Sequence, residues 1–355
     1  MIKANITNIC FKFLKILFIN FFFFIIAILI IEIFFGYWFK NILKNKLSSE
    51  RNVYRVYKTD FKYLQNSSIY IKNNYGFRVK NKKEKIFKPD IVFVGGSTVN
   101  QKFLNYEETT VGILREKFNN LNIINAGVDG MSIKGHINSF EMWFDKIENF
   151  KPRYYIFMIG INDRYMIENF KFRDHIDVLE ESDYKSNLRE KIEANSFFIT
   201  KGRIVKSIVY LKYGLDLGVK KVKKNHVYLE RNEVKFTHFE EAKKNFNNLN
   251  NDKKKQFEKF ISWYLGKLEI LTKEAYKRNA IPIFINQTTG YGHSIESFVV
   301  AESISNHCKN NKLKCINLAQ NLDLKYGDFY DESHVNKRGS KKIANYIYNE
   351  LLNFF

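Results

Sequence analysis

Cysteine is scarce in this chain: three in 355 residues, with Cys10 ahead of an apolar run and Cys308 and Cys315 near the end. So few, so scattered, they build neither a disulfide framework nor a zinc site. A single Cys308–Cys315 bridge stays open for a domain outside the cytoplasm; the alternative is two small buried side chains. Phosphate loops are missing as well. Nothing fits G-x-x-x-x-G-K-[ST] or G-x-G-x-x-G, which argues against a nucleotide fold, and no cofactor is expected. Net charge is +21, yet no nucleic-acid-binding motif accompanies it. The lysines are spread through a chain rich in Asn, Ile and Phe, a bias typical of an AT-rich genome, so no nucleic-acid partner is expected. There is no internal repeat.

What the chain does have begins with the apolar run Ile16 to Phe39, whose clearly polar members are Asn20 and Glu32. At about 1.5 Å per residue this covers a bilayer core of roughly 30 Å. No A-x-A-like cleavage site follows, which favours an uncleaved anchor over a signal peptide. Tyr37 and Trp38 fall where interfacial aromatics belong, and Glu32 is placed to reach the headgroups, the alternative being a polar contact with a partner helix. Lys3, Lys12 and Lys15 precede the run, while Lys40, Lys44, Lys46, Arg51, Arg55 and Lys58 follow it. That count alone puts the large domain in the cytoplasm. The lysine bias weakens the count, and the preferred expectation is a single-pass protein with an extracytoplasmic domain. Residues 1–15 then form a short tail, 16–39 the anchor and 40–88 a juxtamembrane segment. The last carries enough aromatics to pack partly against the domain rather than hang free.

From residue 89 to 355, strand patterns alternate with helical ones. Strands are expected at 91–94, 122–126, 154–159, 281–286 and 314–318, and helices at 110–118, 133–147, 257–275, 294–309 and 337–352. Such alternation implies a five-stranded parallel sheet covered on both faces. An interruption at about 165–255, rich in Lys, Glu and Asn, reads as a lid or partner-docking insertion or as a poorly ordered excursion.

Ligands gather beyond the carboxyl ends of such strands. Ser97, in Ile91-Val-Phe-Val-Gly-Gly-Ser97-Thr, sits at the tip of a tight turn where a hydroxyl can meet a carbonyl. By itself this turn fits a helix cap as well as a nucleophile. Three further strand ends supply the rest of an acyl-transfer set. His334 is a candidate base, and Asp331, three residues earlier, can hold the ring and stabilise the imidazolium. The backbone N–H groups of Ser97 and Gly130 and the amide of Asn162 can receive an oxyanion. Asp163 is expected to fix its loop rather than react. His293, in Gln287-Thr-Thr-Gly-Tyr-Gly-His293, is a candidate pocket residue on a flexible loop. His136, His175, His226, His238 and His307 have no partners at metal-ligand spacing, and no metal is expected.

Taken together, Gly95-Gly-Ser97-Thr98, Asn125-Ala-Gly-Val-Asp-Gly130, Gly160-Ile-Asn162-Asp163 and Asp331-Glu-Ser-His334 resemble the four blocks of the SGNH (GDSL-like) hydrolase superfamily. The resemblance covers about residues 88–355. It implies a flavodoxin-like three-layer α/β/α sandwich, a Ser97 nucleophile, a His334 base oriented by Asp331, and oxyanion donors at Ser97, Gly130 and Asn162. Gly96 stands where many members have Asp. Members with Gly-Gly-Ser-Thr and an N-terminal membrane helix form a bacterial subgroup. Family substrates range over lipid esters, acetylated glycans and thioesters. The expectation is therefore an esterase working through an acyl-enzyme on an ester-bearing small molecule, glycan or lipid, with an O-acyl group of the cell envelope tried first. An O-acyltransferase with the same triad and a silent membrane-tethered binding or scaffold protein are the alternatives.

Overall fold

The computed structural model describes residues 2–39, 51–59, 63–81, 84, 88–167, 188, 192–193, 195–222 and 236–355. Most of the expected insertion, with His175 and His226, and the basic residues Lys40, Lys44 and Lys46 lie outside the described residues.

Helix α1 runs Ile2–Phe35, and its stretch Phe11–Phe35 is long and apolar enough to cross a membrane. Most of its phenylalanines and isoleucines are exposed along that stretch. The chain thus has one N-terminal apolar helix of the kind that serves as a membrane anchor or a signal sequence.

Five parallel strands make the central sheet: β3 (Ile91–Gly95), β4 (Ile123–Gly127), β5 (Tyr154–Met158), β7 (Ile281–Ile285) and β8 (Lys314–Ile316). Their order is β4-β3-β5-β7-β8. The three inner strands β3, β5 and β7 are apolar runs because both of their faces are covered. Val92, Val94, Tyr155, Phe157 and Phe284 point to one side, packing on α4 (Ile133–Met142), α7 (Asn251–Tyr276) and α8 (Ile295–Asn311). Ile91, Phe93, Ile156, Met158, Ile283 and Ile285 point to the other, packing on α3 (Thr110–Lys117), Leu318 of the short α9 (Leu318–Asn321) and α10 (Lys337–Leu351). Burying each large side chain contributes roughly 1.5–3 kcal/mol, which is what holds the three layers together. The connection leaving β3 runs to β4 on one side, whereas the one leaving β5 runs to β7 on the other. This reversal opens a crevice at the carboxyl ends of β3 and β5.

Two regions depart from the expectation. The segment read as juxtamembrane forms a second sheet, in which β1 (Tyr54–Lys58) pairs antiparallel with β2 (Ser67–Ile71) and parallel with the short β6 (Lys220–Lys221). Its Tyr57 and Tyr70 pack with Phe103, Leu104 and Tyr330 of the main domain. Further on, Phe77 enters the main core beside Trp143 and Arg78 bridges to Asn125, so this segment is built into the domain. The second departure is the end of the insertion. Helix α6 (Phe239–Asn247) buries Phe239 and Ala242 against α8, and α7 already begins at Asn251, where Asn250 accepts a hydrogen bond from the Lys253 N–H. Between these regions lies α5 (Phe197–Tyr213), capped by Ser196. Cys308 and Cys315 are paired as a disulfide, with Cα atoms 5.9 Å apart.

Candidate active site

The turn after β3 is forced into shape by close approach. A Cβ on Gly95 would lie 2.5 Å from the Met158 carbonyl oxygen of the neighbouring strand, and one on Gly96 would crowd the Asn162 amide at 3.1 Å. The chain then enters α2 (Ser97–Asn100) with Ser97 in first position. No side chain caps this helix, so capping does not account for the Ser97 hydroxyl. It meets His334 instead: Oγ lies 2.6 Å from Nε2, across 237 residues of chain.

His334 is held from behind. Its Nδ1 is 2.8 Å from Asp331 Oδ1 and 2.6 Å from Oδ2, while Oδ1 also accepts the backbone N–H groups of Ser333 and His334 at 2.8 and 2.7 Å. An ionised carboxylate only accepts, so Nδ1 carries the proton and Nε2 presents its lone pair to the serine. The Tyr330 ring stacks on the imidazole, centroids 5.5 Å apart and planes 9° apart. Just beyond, the Asn336 side chain accepts from the Arg338 and Gly339 N–H groups and starts α10. Asp328 anchors the other end of this loop through Arg338 Nε and Lys342 Nζ at 2.6 and 2.7 Å. Burial pushes its carboxyl up, but the bonds from Lys342, the Lys325 N–H and Arg338 outweigh it and hold the group below its ordinary range.

The loops after β4 and β5 complete the crevice. Gly130 adopts φ +73°, a left-handed conformation suited to glycine, and the Ser97 N–H lies in the first turn of α2, where helices leave donors unpaired. Asn162 Nδ2 donates to the Met131 carbonyl at 2.8 Å, which aims the amide along the β4 loop and keeps one proton for a ligand. Asp163 accepts from the Ile133 N–H at 2.8 Å and from the Tyr264 hydroxyl at 3.2 Å, so it fixes the loop, as the sequence leads one to expect. Beside Gly130, Asp129 accepts from Asn100 Nδ2 at 2.7 Å and Lys102 Nζ at 2.5 Å. Burial pushes this carboxyl up, yet Lys102, Asn100 and Lys72 bring it down to about 2.

The fold therefore brings Ser97, Asp331, His334, Gly130 and Asn162 to one sheet edge. It does not bring His293, and the expectation of a flexible pocket residue is corrected here. That ring is 3% exposed, lies edge-on to Phe239 at 5.3 Å and has Nε2 at 3.2 Å from the Ala319 carbonyl. Its backbone N–H donates to Thr237, which pins the loop. Burial drives its pKa down to about 4, so the ring is neutral near pH 7. Two residues at the site went unread in the sequence. Arg164, buried, reaches Glu332 Oε1 at 2.5 Å and Ser333 Oγ at 3.3 Å, tying the β5 loop to the loop that carries His334. Tyr330 is the other. Arg164 lies two residues after Asn162 and Tyr330 one before Asp331, but nothing in their spacing announces those contacts. Among the described residues, no group of three or more His, Cys, Asp or Glu could hold a metal ion.

A hydroxyl in line with an imidazole and a carboxylate, beside free N–H donors, can carry out acyl transfer without further groups. Fold and site together define an ester hydrolase. The chain belongs to the GDSL-like lipase/acylhydrolase family, whose sequence pattern matches residues 95–347. No curated protein matches the sequence. Similar solved structures include a lipolytic G-D-S-L family protein from Veillonella parvula, at 16% identity and TM-score 0.40, covering 75% of this chain and 97% of that one. An esterase from Pseudoalteromonas sp. shows 13% identity and TM-score 0.37, covering 75% and 98%. An acetylxylan esterase from Geobacillus stearothermophilus shows 12% and 0.40, covering 76% and 96%. These likenesses are distant, and membership of the family rests on the sequence match.

Proposed function

We propose that Ser97 is the nucleophile of a membrane-anchored esterase, with His334 as general base, Asp331 as its orienting partner and Ser97, Gly130 and Asn162 as oxyanion donors. The observation that carries this is the continuous Ser97–His334–Asp331 chain of short contacts, 2.6 Å at each end. Ser97 Oγ attacks the acyl carbon while its proton passes to His334 Nε2. The two N–H groups and the Asn162 amide stabilise the oxyanion, and the imidazolium gives its proton to the departing alcohol. Water, deprotonated by the same imidazole, then attacks the acyl-Ser97 ester, and collapse returns the serine and releases the acid.

An O-acyl group on a cell-envelope glycan or lipid is the substrate class we assign, on the strength of the anchor and the family. The anchor takes in residues 16–39, helical as far as Phe35, and the hydrolase domain 89–355 together with the preceding strands packed into it, with the domain outside the cytoplasm. The Cys308–Cys315 pair supports that side, because disulfides persist in oxidising compartments. A fluorophosphonate probe on detergent-solubilised protein tests the mechanism: wild type labels, whereas Ser97→Ala and His334→Ala do not. Equal labelling of Ser97→Ala would end this reading. Product analysis with and without a sugar acceptor decides whether water or a hydroxyl takes the acyl group.

A further inference from the structure

Helix α5, Phe197–Tyr213, is turned the wrong way for water. A helix on a soluble domain buries its apolar stripe and exposes its polar one. Here Thr200 and Ser207 face inward, 5% and 3% exposed, while Val205 and Ile208 face outward at 55% and 47%. Phe198 and Leu211 are exposed too, and Lys201, Lys206 and Lys212 are interleaved with them. Burying small hydroxyls while leaving branched aliphatics in water forfeits hydrophobic free energy that the reverse orientation would gain. The orientation makes sense if the outer medium is not water.

The start of α5 shows what that medium is. Glu32, at the end of the apolar span, accepts from the Ser196 hydroxyl at 2.6 Å, the Phe197 N–H at 2.9 Å, the Phe198 N–H at 3.2 Å and the Trp38 indole at 3.0 Å. The carboxylate thereby satisfies donors at the α5 N-terminus and complements its dipole. Phe35 and Phe197 are in ring contact at 5.7 Å, and the Tyr37 N–H donates to the Asn195 carbonyl at 2.8 Å. The helix is tied to α1 where the apolar span gives way to Tyr37 and Trp38, the aromatics expected at a membrane interface.

Resting on the reading of α1 as a membrane anchor, we infer that α5 is an interfacial helix lying on the bilayer. Phe198, Val205, Ile208 and Leu211 enter the boundary between headgroups and acyl chains, and the interleaved lysines reach anionic phospholipid headgroups. Apolar residues with basic partners on one helix are the pattern such surfaces bind, and lysine stems extend along apolar surface while keeping their charge in the headgroup layer. From α5 the contacts run through β1 to the small sheet, whose Tyr57 packs with Phe103 beside Tyr330 and so close to His334. The hydrolase domain is then held against the leaflet at two places, with its site joined to the second.

The test uses the full chain in vesicles of phosphatidylcholine and phosphatidylglycerol, in a Cys10→Ser background with the Cys308–Cys315 pair intact. An NBD fluorophore is placed singly through Val205→Cys, Ile208→Cys, Phe23→Cys on the span and Glu258→Cys on the exposed side of α7. The expected result is blue-shifted emission at 205 and 208, quenched by shallow nitroxide lipids and not by iodide, with Glu258 showing the opposite. Iodide quenching at 205 and 208 with Phe23 still in lipid would overturn the inference and leave the anchor standing. Iodide access at Phe23 as well would remove the anchor, and the inference with it. Shielding of 205 and 208 from both quenchers would mean that protein covers this face, a second copy or another segment, and would also overturn it.

Discussion

At the scale of single residues, the contacts around Ser97 give each neighbour a different weight. Asp331 has two duties, since its Oδ1 accepts two backbone N–H groups as well as the imidazole proton. Asp331→Asn keeps an acceptor oxygen for the turn but no longer fixes the tautomer, so the loop should persist while kcat falls. In a serine protease the same change costs about 10⁴ in kcat, and a loss of that order is expected here, read in steady-state hydrolysis of an acetyl ester. Asn162→Ala removes one of the three oxyanion donors we propose, which predicts a kcat loss of about 10²–10³ with little change in KM. A rise confined to KM, with kcat unchanged, would mean that Asn162 binds ground state and transition state alike. These residues were legible in the sequence because each lies in a short block directly after a strand, where the sheet fixes its position. His293 was misread because a glycine-rich loop looks mobile until Phe239, from a distant helix, closes over it. Arg164 escaped notice for a related reason: its partners Glu332 and Ser333 are brought near only when the β5 loop and the final loop meet in space.

Among the elements, the strands could be read because their branched apolar runs end at glycines or polar turns, and a sheet covered on both faces demands such runs. The small sheet could not. Its third strand is Lys220–Lys221, which has no strand signature and is defined only by pairing with Tyr57 and Lys58. Helix α6 was lost among lysines, with Phe239 and Ala242 too few to signal a buried face. Arg164→Met leaves a nonpolar side chain of similar length but releases Glu332. Hydrogen bonds to charged groups are worth about 1.5–3 kcal/mol, so if most of that loss falls on the placement of His334, kcat drops about ten- to a hundredfold. Glu332→Gln should do less, because Glu332 is half exposed and its pair is partly screened. Equal kcat for Arg164→Met and wild type would show that the loop holds His334 without this tie. The Cys308–Cys315 pair joins α8 to β8 across a sequence separation of 7. Loop-closure entropy for so short a loop gives about 2.5 kcal/mol, and a Cys308→Ser/Cys315→Ser variant should lose that much in chemical denaturation.

For the whole molecule, acid is the informative stress. The net charge of +21 rises further as carboxylates protonate, and self-repulsion then weakens the compact state. A second, more specific effect adds to it. His136 is buried in α4, and burial drives its pKa down to about 3; His293 falls to about 4 for the same reason. In the unfolded chain both titrate near the ordinary value of 6.5. Between those limits the unfolded state binds protons that the folded state refuses, so stability is complete above pH 6.5 and declines as pH falls toward 4 and then 3. Each such histidine contributes a slope of about 1.4 kcal/mol per pH unit through its window. Asp129 adds a loss lower down, between its ordinary 3.8 and about 2. Charge repulsion alone would act equally on wild type and on His136→Gln, which carries the same charge at pH 7. The difference between the two isolates the buried imidazole. Urea unfolding of both proteins from pH 7.5 to 4.5 should therefore give converging curves, with the wild-type slope steeper below pH 6.5 by about 1.4 kcal/mol per unit. Parallel curves would mean that His136 protonates within the fold, and the acid sensitivity would then belong to net charge and to His293.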